Sequence, residues 1–175
     1  MNYFANGYFA KSEDAGFIIV SGVDSIDFLQ SILTANVATI AVGSCRPAAL
    51  LTPQGRILID MMIYRWSDQD IYLQTDQERA GDLLNRLRRY RLRRPVTLEQ
   101  SLDMHLTLWW GYGGTVKPDN KSIFLDPRHA DLGCRIISTS ADLPSALNEA
   151  KPSSCLLYTS PSPRDATLSR MPSSA

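Results

Sequence analysis

The chain has 175 residues, with 18 Lys and Arg against 18 Asp and Glu, and a formal net charge of zero at pH 7. That length suits one ordinary domain with room for a real core, and the zero balance removes bulk electrostatics as an argument for any particular partner. Cys45, Cys134 and Cys155 form no Cys-x-x-Cys pair, and His105 and His129 lie at no ligand spacing from them. This pattern argues against a metal site built by the chain alone, while a single ligand to a shared cluster stays open.

The first residues, MNYFANGYFAKSED, have neither the basic start nor the continuous apolar core of a secretory leader. No apolar stretch approaches the roughly 20 residues a membrane helix needs. A reduced, cytoplasmic protein with no membrane partner is the expectation. Phe17 to Ser21 is a short β-branched run ending at Gly22 and predicts a buried strand. Asp24 offers an N-cap oxygen to a helix with Ile26, Leu29, Ile32 and Leu33 on one stripe, expected to end near Asn36. Val37 to Ser44 is a small-residue run with some strand character, and Cys45 beside it is expected to be a small buried residue rather than a nucleophile.

The most informative stretch is Leu50 to Asp76, LLTPQGRILIDMMIYRWSDQDIYLQTD. Thr52 to Gly55 predicts a turn, with φ preset by Pro53. Ile57 to Arg65 and Ile71 to Thr75 then predict an antiparallel hairpin around the polar break at Trp66 to Asp70. With Arg65 opposite Ile71, alternation sorts the side chains into two faces. Ile57, Ile59, Met61, Ile63, Ile71 and Leu73 make one apolar face. Leu58, Asp60, Met62, Tyr64, Tyr72 and Gln74 make a mixed one. An aspartate in mid-strand is disfavoured by propensity and costly to bury unpaired, so Asp60 is either a solvated or Arg-paired residue or a functional one.

Thr75 and Glu78 suggest a capping box for a helix to about Tyr90, with Ala80, Leu83, Leu84, Leu87 and Tyr90 as its buried stripe. Arg86, Arg88, Arg89, Arg91, Arg93 and Arg94 crowd its end. They complement the helix macrodipole, or else present an anion surface for phosphate, RNA or a polyglutamate tail. Few aromatics interleave them, which with the zero net charge argues against direct nucleic-acid binding. Val96 to Leu98 and Met104 to Trp110 follow as strands, with Met104, Leu106, Leu108 and Trp110 on one face and His105 on the other as an ordinary strand histidine. Gly111 to Gly114 is read as a turn, since GYGG is not GxGxxG. Ser122 to Leu125 and Leu132 to Ser138 are further strands, and Asp142 to Ala150 begins a short helix. Lys151 to Ala175 is rich in Ser and Pro and is expected to be disordered. Its CLLYTSPSPRD run is similar to the translated sequencing-adapter tail of truncated reading frames, which would end the protein proper near Ala150.

Four segments in order carry a resemblance: VSGVDSIDFLQSILTANV at Val20 to Val37, LLTPQGRILIDMMIY at Leu50 to Tyr64, LLNRLRRYRLRRPVTLE at Leu83 to Glu99 and DPRHADLGCRI at Asp126 to Ile136. Together they resemble the YgfZ-type folate-binding proteins, relatives of the glycine-cleavage aminomethyltransferase. The resemblance implies an α+β fold with an antiparallel or mixed sheet and two main helices over residues 1–150, followed in the family by a β-barrel that these residues do not encode. It implies tetrahydrofolate as cofactor, iron–sulfur client proteins as partners, and an indirect effect on tRNA modification. Asp60 falls at or beside the family's acidic pterin contact, and Tyr72 and Gln74 match the next strand lining the same cavity. Strand parity adds Tyr64 and Met62 to the folate-contact set. Two departures stand out: the family's Lys-Gly-Cys-Tyr-x-Gly-Gln-Glu motif, with its reactive cysteine, occurs nowhere here, and Asn36 replaces an aspartate common in relatives. No catalytic residue is assigned. The leading expectation is a tetrahydrofolate-binding accessory protein without turnover of its own. The competing ones are a folate-dependent aminomethyl or C1 transferase and an RNA-binding module using Arg86 to Arg94.

Overall fold

The computed structural model describes residues 4–5, 8–101, 106–112, 115–116, 122–129, 132–139 and 151–152. Strands β1 (Phe4–Ala5), β2 (Tyr8–Lys11) and β3 (Ala15–Ser21) lead to helix α1 (Ser25–Gln30) and a 3-10 turn at Val37–Thr39. β4 (Cys45–Leu51), β5 (Ile57–Arg65) and β6 (Asp70–Asp76) follow, then helix α2 (Gln77–Arg91). β7 (Thr97–Gln100), β8 (Thr107–Tyr112), β9 (Thr115–Val116), β10 (Ile123–Leu125), β11 (Cys134–Ser138) and β12 (Lys151–Pro152) complete the set.

Among the described residues two five-stranded sheets result, ordered β4-β5-β6-β3-β7 and β10-β11-β8-β2-β12, while β1 pairs with β9. Their pairings among the described residues are antiparallel except β12 with β2, where Lys151 lies opposite Tyr8. This mixed α+β architecture agrees with the expected class. The first sheet is buried on both sides, which is why β3 reads as a continuous apolar run rather than an alternating one. Its Ile18 and Val20 face the helices, with Ile59, Met61, Ile63, Ile71 and Leu73. Phe17 and Ile19 face the second sheet, with Cys45, Met62, Tyr64 and Tyr72 packed against Leu108, Phe124 and Ile137. On the helix side α2 buries Ala80, Leu83, Leu84 and Leu87, each leucine contributing about 1.5–3 kcal/mol.

The hairpin register has Arg65 opposite Ile71 and Met62 opposite Gln74, and the turn closes with Gly55 N donating to Thr52 O at 2.9 Å. Several local expectations differ. The pairing of β4 with β5 slips between Leu50 and Leu51, so Leu58 packs toward the helices and Ile57 is exposed. A bulge reverses alternation at that point. α1 stops at Gln30 rather than near Asn36 because Leu33 forms a bridge with Leu50 and Thr34 N donates to Ala49 O. Val37–Thr39 is a 3-10 turn rather than a strand, and the strand begins at Cys45 instead, on the sheet edge where Pro47 is tolerated.

There is no capping box. Asp76 is the N-cap of α2, with no side-chain cap bond, and Thr75 Oγ1 instead donates to Asp60 O across the hairpin. Tyr90 is exposed. Gly111 and Tyr112 continue β8 rather than starting a turn. Met104, His105, Gly113 and Gly114, the expected helix at 142–150, Cys155 and residues 153–175 lie outside the described residues.

Candidate functional site

The mixed face of the hairpin divides into an open end and a closed end. Asp60 is at the open end. Its carboxylate is exposed and makes no hydrogen bond or ion pair among the described residues, while its backbone oxygen is held by Thr75 Oγ1 at 2.9 Å. Asp60 lies opposite Ala49 on the neighbouring strand, a side chain too small to cover it. A carboxylate in mid-strand with no cation beside it has its full acceptor capacity available.

Tyr64 is at the closed end. It is fully buried, with its ring edge-on to Phe124 at 4.9 Å between centroids. Burial pushes its phenol up to about 12 against the pull of Arg135, so it stays neutral at ordinary pH. Met62 is buried in the same inter-sheet core. Tyr72 is stacked on Trp66, 4.6 Å away with the planes 3° apart, and burial raises its phenol. One ring face of Tyr72 is therefore already covered by protein.

Between the two ends is a network centred on Arg135, which β11 sends into the inter-sheet space. Its Nε donates to Asp126 Oδ2 at 2.8 Å, and its Nη1 donates to Tyr64 Oη at 3.0 Å and to Gln74 Oε1 at 2.9 Å. The guanidinium also lies over the Trp110 ring, 4.1 Å from its centroid. Arg128 grips the same carboxylate: its Nε and backbone N reach Asp126 Oδ1 at 2.9 and 3.1 Å, and its Nη2 reaches Oδ2 at 2.8 Å. Burial alone would push the Asp126 carboxyl up. The bonds from Arg128 and Arg135 outweigh it and hold the group below its ordinary value. Gln74 is partly buried, and its Nε2 donates to Thr75 O at a long 3.4 Å.

The structure thus brings Met62, Tyr64, Tyr72 and Gln74 to one inter-sheet face, with Asp60 at its exposed margin. Of these five, Asp60 is the exposed one, and Gln74 is half-buried with its amide nitrogen facing away from Arg135. Cys45 is buried, its thiol donating to Leu125 O at 3.2 Å, and burial pushes its pKa up to about 12 despite Arg135 nearby. Cys134 is buried with its pKa pushed up likewise to about 12. Both are poor nucleophiles in this state. A depression lined by Asp14, Asp76, Gln77 and Glu78 opens where β6 passes into α2; its carboxylates repel an anionic ligand.

Sequence reasoning gave no role to Asp126, Arg128, Arg135, Trp110 or Trp66. The signal for the first three was present as Asp126-x-Arg128 and the later Leu-Gly-x-Arg, one acidic and two basic residues around the connection between two short apolar strands. What the sequence lacks is any statement that Arg135 points inward, across the sheets, to Gln74.

Residues 12–108 match the GCVT N-terminal domain family. The chain is 29% identical over 168 residues to the iron–sulfur cluster assembly factor IBA57 homolog, mitochondrial, of Aspergillus oryzae, covering 77% of this chain and 37% of that protein. Its similarity to the corresponding protein of Pyricularia oryzae is 29% over 143 residues, covering 74% and 35%. An aminomethyltransferase of Bacillus mycoides is 36% identical over 58 residues, covering 33% of this chain and 16% of that one. Among solved structures, the glycine cleavage system aminomethyltransferase T from Bartonella henselae superposes with a TM-score of 0.54 at 18% identity, over 63% of this chain and 30% of that one. The chain therefore spans little more than a third of the length of the assembly-factor relatives. With more than half of its residues inside the matched segment, the chain belongs to the GCVT N-terminal domain family.

Proposed function

We propose that the chain is a tetrahydrofolate-binding part of an accessory protein for iron–sulfur cluster assembly or repair, of the YgfZ type, with an indirect effect on tRNA modification. The observation that carries the folate reading is Asp60, an exposed mid-strand carboxylate with no partner among the described residues, beside the partly buried amide of Gln74. The pterin edge of a folate offers adjacent N–H donors that one carboxylate accepts together, and an oxo group that an amide N–H satisfies. Asp60 as acceptor and Gln74 Nε2 as donor fit that edge. Met62, Tyr64 and Tyr72 serve as the floor beneath it, since their own surfaces are buried. The assembly role is supported by the names of the fungal relatives. A reduced compartment is common to the cytoplasmic expectation and to the mitochondrial one in those names, and the buried free thiols of Cys45 and Cys134 suit it.

The test is titration calorimetry with tetrahydrofolate. Asp60→Ala is expected to weaken binding about tenfold or more, as for loss of a charged hydrogen-bond pair. Unchanged affinity in a folded mutant removes Asp60 from the site. The similarity to a bacterial aminomethyltransferase favours a second reading, a folate-dependent aminomethyl transferase with Asp60 as the acid near the reacting nitrogen. Turnover with an aminomethyl donor supports it, and folate binding without turnover dismisses it.

A further inference from the structure

A guanidinium has donors and no acceptor. The contact of 2.9 Å between Arg135 Nη1 and Gln74 therefore fixes which end of the amide faces inward: the oxygen. Arg135 cannot turn away to release it. Its Nε is tied to Asp126, the same Nη1 also binds Tyr64, and its plane rests on Trp110. Asp126 is in turn held by Arg128. The Gln74 nitrogen is thereby turned away from the inter-sheet core. One of its two hydrogens goes to Thr75 O at 3.4 Å, and the other has no partner among the described residues. A glutamine in an unconstrained setting presents either end of its amide; this one presents a donor.

Asp60 and Gln74 share the mixed face of adjacent strands. Met62 lies directly opposite Gln74, so Asp60 is the diagonal neighbour, a separation of about 7–8 Å that both side chains reach across. The pair reads as acceptor then donor along one edge of a ligand.

We infer that Gln74, locked by Arg135, is a specificity-determining residue that selects a 2-amino-4-oxo pterin over its 4-amino counterpart. The inference rests on the folate reading of Asp60 given above. The 2-amino group and ring N–H donate to Asp60, and the adjacent 4-oxo group accepts from Gln74 Nε2. A 4-amino group at that place sets donor against donor, and its ring nitrogen no longer carries the hydrogen that Asp60 accepts; a site built around one hydrogen-bonding pattern rejects the ligand that reverses it. Arg135 acts as a positioning residue, reaching no ligand itself.

The experiment compares tetrahydrofolate with 4-amino-4-deoxytetrahydrofolate by titration calorimetry on the full chain and two variants at neutral pH. The wild type is expected to prefer the 4-oxo ligand by about tenfold or more. Gln74→Glu keeps an oxygen for Arg135 and presents an acceptor in place of the donor, so its preference for the 4-oxo ligand is expected to fall by about tenfold or more. Gln74→Met removes both hydrogen-bonding ends and is expected to keep only the part of the preference that the ring N–H to Asp60 supplies, a ratio about threefold or more below that of the wild type. An unchanged ratio in Gln74→Glu, in a protein that still binds tetrahydrofolate, overturns the specificity role and leaves the folate reading standing. A wild type that binds neither pterin overturns both.

Discussion

Asp126 accepts four hydrogen bonds from two arginines while its side chain is closed off from water. Removing it leaves Arg135 buried and short of its counter-charge, so Asp126→Ala is expected to destabilise the fold by about 3–5 kcal/mol, read as a lowered urea midpoint. The same carboxyl links stability to pH. Its folded pKa lies below the unfolded value of about 3.9. The stabilisation is therefore present above that value and is lost as pH falls through the folded pKa. Urea titrations between about pH 5 and pH 2 should show a falling midpoint that is flatter in Asp126→Asn; equal slopes would mean the carboxyl is not depressed. At this scale the sequence was legible where alternation alone decides: Met62, Tyr64, Tyr72 and Gln74 share a face as expected. It was illegible where the partner is remote. Nothing in the local pattern of Gln74 announces an arginine from β11, because that contact exists only once the second sheet is laid over the first.

Helix α2 sits on β3 at Gly16, where an added Cβ would lie 2.8 Å from Ala80 Cβ and 2.9 Å from Gln77 Cα. Both neighbours are fixed by the helix backbone, so Gly16→Ala must push α2 outward. A loss of about 1–3 kcal/mol is expected in denaturant unfolding. At its other end α2 terminates at Leu92, whose φ of 52° and 83% exposure place a bulky residue in a conformation that suits glycine. Leu92→Gly should relieve that strain and raise stability by about 1 kcal/mol, net of the added freedom of the unfolded chain. A lower midpoint would show that Leu92 makes contacts that outweigh its backbone. Element types were legible from periodicity: β5, β6 and α2 fall within a residue or two of their expected limits. The ends of α1 and the start of β4 were not, because the Leu33–Leu50 bridge and the Leu50/Leu51 bulge are tertiary events that override local propensity.

Across the molecule the order is helices, first sheet, second sheet, and the second sheet is what turns a mixed hairpin face into a site. It buries Tyr64 and Met62, supplies Arg135 and Trp110, and leaves Asp60 and Gln74 at the margin. The strands at Tyr8–Lys11 and Lys151–Pro152 that help complete this layer gave no usable sequence signal, one being four residues long and the other a two-residue pairing in a Ser- and Pro-rich stretch. The arginines at the end of α2 belong to a different surface: Arg86 pairs with Asp82, Arg91 holds Val96 O, and Arg88, Arg89, Arg93 and Arg94 are exposed. The two surfaces allow one decisive measurement, a titration of isotope-labelled protein with tetrahydrofolate followed by NMR. Saturable shifts of the Gln74 side-chain amide and the Asp60 backbone amide, with the α2 arginines unmoved, are the result the folate account predicts. Shifts confined to residues 86–94, or no saturable shift at all, would contradict it.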